Sequence, residues 1–177
     1  MNNFLLRRIT IDDVSALSAI AKKTFFDAFS GTCTPADMSH FLDLYYTENT
    51  LAKEIADTEM QYYFAEVNGQ IAGYILYKEN NLNFAETKSK KTIELKRLYV
   101  LGNYHGKKIA QKMMAHFLDY AAKNNFEMAF LGVWEYNCRA RYFYSKFGFL
   151  PTKYRHNFPI GNTPQTDLYL IKDLLVM

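Results

Sequence analysis

The sequence predicts a single α/β (α+β) domain in which helices flank a mixed seven-stranded sheet. Three observations predict it. The hydrophobic period switches along the chain between about 3.6 and about 2 residues, in the order strand, helices, three strands, helix, strand, helix, two strands. The chain has 177 residues, 49% of them hydrophobic, enough for one sizeable core. No repeat, low-complexity tract or linker interrupts residues 1–177, so they form one domain.

Leu5 to Thr10 reads as the first strand, and Asp12 or Asp13 as the cap of a helix whose apolar positions are Val14, Leu17, Ile20, Ala21, Phe25 and Ala28. Gly31 ends it. Thr34 caps a second helix with Pro35 in its first turn and Met38, Phe41, Leu42 and Tyr45 on its apolar face. A short third helix spans Leu51 to Ala56. Two strands, Tyr62 to Val67 and Gln70 to Tyr77, are joined by Asn68-Gly69, the signature of a two-residue hairpin turn. Asn80 to Lys91 is a polar strand end and loop, followed by a strand over Thr92 to Leu101. Lys107 to Lys123 is strongly amphipathic, Met128 to Trp134 is a continuous apolar strand, and Arg139 to Phe147 is a helix stopped by Gly148. Phe149 to Phe158 and Thr166 to Lys172 complete the sheet.

Composition removes several function classes. A net charge of +3 places no demand for nucleic acid. No apolar run is long enough to span a bilayer, and Met1 to Arg8, an apolar patch followed by two arginines, reverses the order of a signal peptide. Cys33 and Cys138 are too few for a disulfide framework and fit free thiols, so the expected location is cytoplasmic. No His/Cys/Asp/Glu spacing suggests a metal site. His40 and His116 read as packing or surface residues, and most of the 14 tyrosines and 14 phenylalanines as packing.

Two segments can carry chemistry. In the first, strand Leu98-Tyr99-Val100 runs into Tyr104-His105-Gly106-Lys107-Lys108-Ile109-Ala110 at the start of a long helix. Unpaired N–H groups and the positive end of the helix dipole suit a pyrophosphate there, with Lys107 and Lys108 adding charge. A plain loop with a solvated basic face would look the same. In the second, Asn137, Ala140 and Tyr144 fall on one stripe of a helix, which sets an amide beside a phenol at a strand-to-helix junction. Asn137 as a simple N-cap, Tyr144 as a rim aromatic and Gly148 as a C-cap is the plainer reading.

Taken together, the two segments resemble the Gcn5-related N-acetyltransferase (GNAT) superfamily. Its signature Gln/Arg-x-x-Gly-x-Gly/Ala falls on His105 to Ala110, with His105 at the first position, Lys108 at the first glycine and Ala110 at the last. The later pattern Asn-x-x-Ala-x-x-Phe-Tyr-x-x-x-Gly-Phe is matched throughout from Asn137 to Phe149. A closer resemblance, to bacterial spermidine/spermine N-acetyltransferases of the protease-production-regulator type, rests on Thr24-Phe25-x-Asp27-x-Phe29, Ile71-Ala72-Gly73-Tyr74, Gly132-Val133-Trp134-Glu135-x-Asn137 and Gln165-Thr166-Asp167-Leu168. The resemblance implies a mostly antiparallel sheet, acetyl-CoA as co-substrate without a metal, a small amine acceptor of the polyamine kind, and dimers as a common assembly.

The resemblance also distributes roles. The strand splays at Leu98 to Val100; the Leu98 amide polarises the thioester oxygen and the Val100 backbone pairs with pantetheine. Asn137 holds the pantetheine arm, Tyr144 protonates the leaving thiolate, and residues 105–110 hold the phosphates. An alkyl ammonium has a pKa near ~10.4, so a base or a desolvating site is needed. Glu94 stands where the superfamily carries its base and is expected to act through a water; it reads equally as a solvent-facing carboxylate or a partner for Arg97. A polyamine calls for carboxylates and aromatic walls, for which Asp27, Glu48, Glu135 and Asp167, with Tyr45, Tyr46 and Trp134, are candidates. The rival readings are a CoA-binding sensor without turnover, a protein amine as acceptor, and another acyl donor. A covalent route through Cys138 lacks a base placed to activate the thiol.

Overall fold

A computed structural model describes residues 3–82 and 84–175. Met1 and Asn2 of the N-terminal patch, Asn83 of the polar loop, Val176 and Met177 lie outside the described residues. The elements are β1 (Phe4–Arg8), α1 (Val14–Phe29), α2 (Pro35–Tyr45), α3 (Glu48–Ala56), β2 (Gln61–Val67), β3 (Gln70–Glu79), β4 (Thr92–Val100), α4 (Ile109–Lys123), β5 (Met128–Trp134), α5 (Cys138–Ser145), β6 (Leu150–Asn157) and β7 (Thr166–Asp173). They build one seven-stranded sheet in the order β1-β2-β3-β4-β5-β7-β6. Neighbours are antiparallel except β4 and β5, which run parallel because α4 crosses between them.

Side-chain alternation sends two sets of residues to opposite faces of the sheet. Ile75, Ile93, Leu95, Leu131 and Val133 face α4 and α5, where Met113, Met114, Phe117 and Phe149 close one core. Tyr62, Phe64, Tyr74 and Leu76 face α1, α2 and α3, where Leu17, Phe25, Phe29, Phe41 and Leu51 close the other. Aromatic side chains fill both cores; in the second, Phe25 stacks on Phe41 with ring centroids 4.5 Å apart and on Phe29 at 4.6 Å. The hairpin turn follows its sequence signature, with Asn68 at φ 51° and Gly69 at φ 75°.

Local differences from the expected elements have identifiable causes. Neither Asp12 nor Asp13 caps α1 through its side chain. A short 3-10 turn over Ile11–Asp13 precedes that helix, and the Asp13 carboxylate turns back to accept from the Thr10 N–H (2.9 Å) and from Arg7 (2.8 and 2.9 Å). The third helix begins at Glu48 because the Thr47 hydroxyl accepts from the Thr50 N–H. The fourth begins at Ile109 rather than Lys107, for reasons that belong to the site.

Two features set up that site. In β4 the register against β3 shifts between Leu76↔Arg97 and Tyr77↔Leu95, leaving Lys96 in a bulge that bends the strand. Further along, Gly73 faces Val100 so closely that a Cβ would stand 2.4 Å from the Tyr99 carbonyl oxygen. Backbone, not a flexible side chain, occupies that space. Gly73→Ala is therefore expected to lower the unfolding free energy by about 1–3 kcal/mol, the usual cost of overpacking. Urea denaturation checks this; an unchanged midpoint would mean that β3 and β4 separate without cost.

Candidate active site

The parallel ladder between β4 and β5 covers only Thr92↔Met128, Ile93↔Ala129 and Glu94↔Phe130. Beyond Glu94 the two strands diverge, so the splay expected at Leu98 to Val100 already begins at Leu95. The alternation along β4 fixes which groups the gap receives. The Leu101 N–H donates to the Ala72 carbonyl at 2.9 Å, and Tyr99 lies opposite Tyr74 in the same phase. Tyr99 thus turns its N–H toward β3, whereas Leu98 and Val100 turn theirs into the gap. The Val100 carbonyl also faces the gap, where it meets His105 Nε2 at 2.8 Å. Arg139 donates to Nδ1 of the same ring at 3.2 Å, which sets the tautomer with hydrogen on Nε2.

The loop before α4 is shaped for an anion. Gly106 lies at φ 77° and Lys108 at φ 61°, both left-handed, with Lys108 as the N-cap of α4. The signature glycine replaced by Lys108 stands at a position where glycine takes this conformation freely and lysine pays about 1–2 kcal/mol. The same kink explains why Lys107 and Lys108 precede the helix instead of opening it. The first helical bond runs from Lys112 N–H to the Lys108 carbonyl. The N–H groups of Lys108, Ile109, Ala110 and Gln111 are the orphan donors of the helix start. They border a groove of about 250 Å³ with Gly106 and His105 on one side and, on the other, Arg139 of α5 and Lys146 just past its end. No side chain occupies the space where a Gly106 Cβ would stand. Unpaired N–H groups, a helix start and these cations suit a phosphorylated co-substrate. Arg139 and Lys146 were missed in the sequence because they fill unspecified positions of the Asn137-to-Phe149 pattern; only the helix facing the loop reveals them.

Across the gap, α5 presents Tyr144 and Asn137. Asn137 is the N-cap: its Oδ1 accepts from the Ala140 N–H at 3.0 Å, and its side-chain NH₂ has no partner among the described residues. Tyr144 is buried against Phe143 and Phe149, and burial pushes its phenol well above the ordinary value, so it carries its proton at neutral pH. Among the described residues no hydrogen bond holds its hydroxyl. Leu98, Val100, Ala140 and Tyr144 pack on the α4–α5 face.

The gap opens on both faces, into a cleft of about 1280 Å³. On the α1–α2 side its walls include Phe29, Tyr45, Tyr46, Tyr99, Trp134 and Phe158. Of the four candidate carboxylates, Asp27 and Asp167 line the cleft and Glu48 and Glu135 do not; Asp27 is paired with Lys23 and Glu135 with Arg155. Glu94 is likewise absent from the lining. Its carboxylate accepts from Asn80 at 2.8 Å and stands 3.6 Å from Lys96, both through Oε2, an arrangement compatible with the water-mediated role expected of it. Nor does it pair with Arg97, whose guanidinium is held by Glu54 (2.6 and 3.1 Å) and Tyr62.

Asp167 differs from these carboxylates. It projects from β7 over Gly132, where a Cβ would lie 3.2 Å from its Oδ2, and no hydrogen bond or ion pair holds it among the described residues. Burial raises its pKa from 3.8 to about 6, and the nearby His156 offsets this only in part.

A sheet split between its parallel strands, with a basic groove on one face and an aromatic-walled cleft on the other, is the arrangement expected of an N-acetyltransferase. Comparison with known sequences and structures agrees. The sequence model of the Acetyltransferase (GNAT) family matches residues 22–149, and the chain belongs to that family. It is 28% identical to an uncharacterized N-acetyltransferase of Lactobacillus delbrueckii subsp. lactis over 176 residues, covering 99% of this chain and 100% of the relative. It is also 28% identical to an uncharacterized N-acetyltransferase of Mycobacterium tuberculosis over 163 residues, covering 92% and 99%. In fold it is similar to the PaiA N-acetyltransferase of Thermoplasma acidophilum in complex with coenzyme A, at TM-score 0.75 and 20% identity over 97% of this chain and 99% of that one. A GCN5-related N-acetyltransferase of Rhodopseudomonas palustris gives TM-score 0.76 at 15% identity, covering 98% and 97%.

The isolation of Asp167 has a thermodynamic consequence independent of activity. A carboxyl with a raised folded-state pKa binds more protons folded than unfolded between pH 3.8 and about 6, so its contribution turns against folding as pH rises through that window. Asp167→Asn is expected to be more stable than the parent at pH 8, by at most about 3 kcal/mol, and equal to it near pH 3.5. Thermal melts at the two pH values check this; a variant no more stable at pH 8 would contradict the isolation of the carboxylate.

Proposed function

We propose that the protein transfers an acetyl group from acetyl-CoA to a primary amine of the polyamine class, by direct attack within a ternary complex. The observation that carries the proposal is the separation of two half-sites by the gap between β4 and β5. The α4–α5 half offers orphan amides and basic side chains for phosphates, and the gap offers the free amides of Leu98 and Val100. The other half offers aromatic walls and carboxylates suited to an extended cation. The Thermoplasma neighbour, which carries coenzyme A on the same fold, supports the donor assignment.

In this reading the phosphates rest on residues 105–110, with Gly106, Lys107, Lys108, Ile109 and Ala110 forming the cradle and Arg139 and Lys146 facing it. The pantetheine arm lies in the gap, hydrogen-bonded to Val100 and to the Asn137 NH₂, and displaces the His105 ring from the Val100 carbonyl. The Leu98 N–H is fixed before the substrate arrives and points at the charge that grows on the thioester oxygen. Such a donor is worth about 3 kcal/mol of barrier. Tyr144 gives its proton to the departing thiolate. Its high pKa is no obstacle, because the burial that raises the phenol also raises a thiolate leaving beside it.

A sensor that binds the donor without turnover has no use for a buried phenol at this position. Thiol release from acetyl-CoA with a panel of amines, spermidine and spermine included, separates the two: acceptor-dependent release supports transfer, and binding without release supports the sensor. Among the acceptors, faster turnover of spermidine than of peptide lysines or N-termini supports the polyamine class. Tyr144→Phe is expected to lower kcat by about 10²-fold or more while leaving acetyl-CoA affinity within about twofold. Parallel losses in rate and affinity would reduce Tyr144 to a packing role.

A further inference from the structure

We infer that Asp167 is the proton acceptor for the incoming amine, a role that rests on the acetyl-transfer reading and completes it. The acceptor meets the enzyme on the α1–α2 face, so its base must stand there, at the gap, and be free to take a proton. Asp167 meets all three conditions. It lies on the same face of the sheet as Gly132, Trp134 and Tyr99, and it lines the cleft with them. Its carboxylate rests above Gly132, the β5 residue just beyond the last strands' common path, where a larger side chain would press on Oδ2. Tyr99, Tyr144 and Asp167 all line the one cleft that the gap opens into.

The groups that face Asp167 leave it free. From β6, His156 stands directly opposite in register; from β4 there is the Tyr99 phenol, and from β7 itself the Tyr169 phenol two residues on. No lysine or arginine pairs with it among the described residues, and Glu135 with Arg155 forms its own ion pair nearby in the chain. The pKa of about 6 leaves the group ionised at neutral pH but a better base than an ordinary carboxylate. A carboxylate without a partner is destabilising, and its position at the opening of the gap gives that cost a use.

The proton count closes. The substrate ammonium gives one proton to Asp167, the freed nitrogen attacks the thioester carbonyl carbon, and the carbon–sulfur bond breaks. The thiolate takes the Tyr144 proton, and the second proton lost by the attacking nitrogen restores the phenol. Asp167 then releases its proton to water, so the net products are the N-alkylacetamide, the CoA thiol and one proton.

The test is the pH dependence of kcat/KM for spermidine in the parent and in Asp167→Asn, with acetyl-CoA affinity measured alongside. The parent is expected to rise through about pH 6 to a plateau. The variant should fall about 100-fold at pH 7, lose that inflection, and recover as pH approaches the amine pKa near ~10, with acetyl-CoA affinity within about twofold. Asp167→Glu, which keeps the carboxylate, should retain the inflection; it serves equally if Asp167→Asn does not fold. An Asp167→Asn variant with the parental limb, or with the same deficit at every pH, would overturn the base assignment while leaving acetyl transfer intact. A parent that releases no thiol with any amine would overturn both.

Discussion

Between β4 and β5 the parallel ladder ends after three residue pairs, at Glu94↔Phe130, and the rest of the site is arranged around the backbone groups left over. Unpaired strand amides inside a protein are costly unless something else satisfies them. Here the divergence is held open from both sides. The Lys96 bulge bends β4, and the contact of Gly73 with the Tyr99 backbone keeps β4 drawn to β3 instead of β5. On the far side β7 pairs with β5 along its whole length, from Met128↔Asp173 to Trp134↔Asp167. The gap is thus a fixed feature of the sheet, and it turns an internal strand into two edges that a ligand's amide groups can join.

The same economy of strain recurs around the gap. Lys108 holds a left-handed backbone, which glycine would adopt more readily, and Asp167 is a half-buried carboxylate with no partner among the described residues. His105 covers the Val100 carbonyl from the gap side, so that acceptor is not left bare. Each departs from what local propensity favours, and all three border the cleft or the groove where the donor and acceptor are proposed to bind. Elsewhere the two cores are built mainly from apolar and aromatic side chains, with Arg97 paired to Glu54 inside the α1–α3 core.

Much of the fold was legible in the sequence. The continuous apolar run of β5 predicts its observed bounds and the Asn68-Gly69 turn behaves as its signature requires, whereas the helix expected over Arg139 to Phe147 runs from Cys138 to Ser145, with Gly148 at φ 79° in the turn that follows it. The stripe of Asn137, Ala140 and Tyr144 was recoverable because helical spacing is a local property. What escaped was set by tertiary neighbours. Lysine side chains do not announce a left-handed backbone, so the amphipathic pattern predicts a start at Lys107 where α4 begins at Ile109. The company of Glu94 depends on Asn80, brought in by a loop fourteen residues earlier, and no strand pattern encodes that. Asp167 was visible as one carboxylate among four; its isolation became visible only when the partners of the others were known. Arg139 and Lys146 gave no signal at all until α5 and the turn after it faced the loop before α4.

The central claim, that the open edge of β4 receives the donor, is tested most directly by residue-resolved amide hydrogen exchange with and without CoA. The account predicts fast exchange at Leu98 and Val100 in the free protein, slow exchange at Tyr99 and Leu101, and protection of Leu98 or Val100 together with Ile109 to Gln111 once CoA binds. Saturating CoA that leaves all of those amides unprotected, while slowing exchange at another surface, would contradict it.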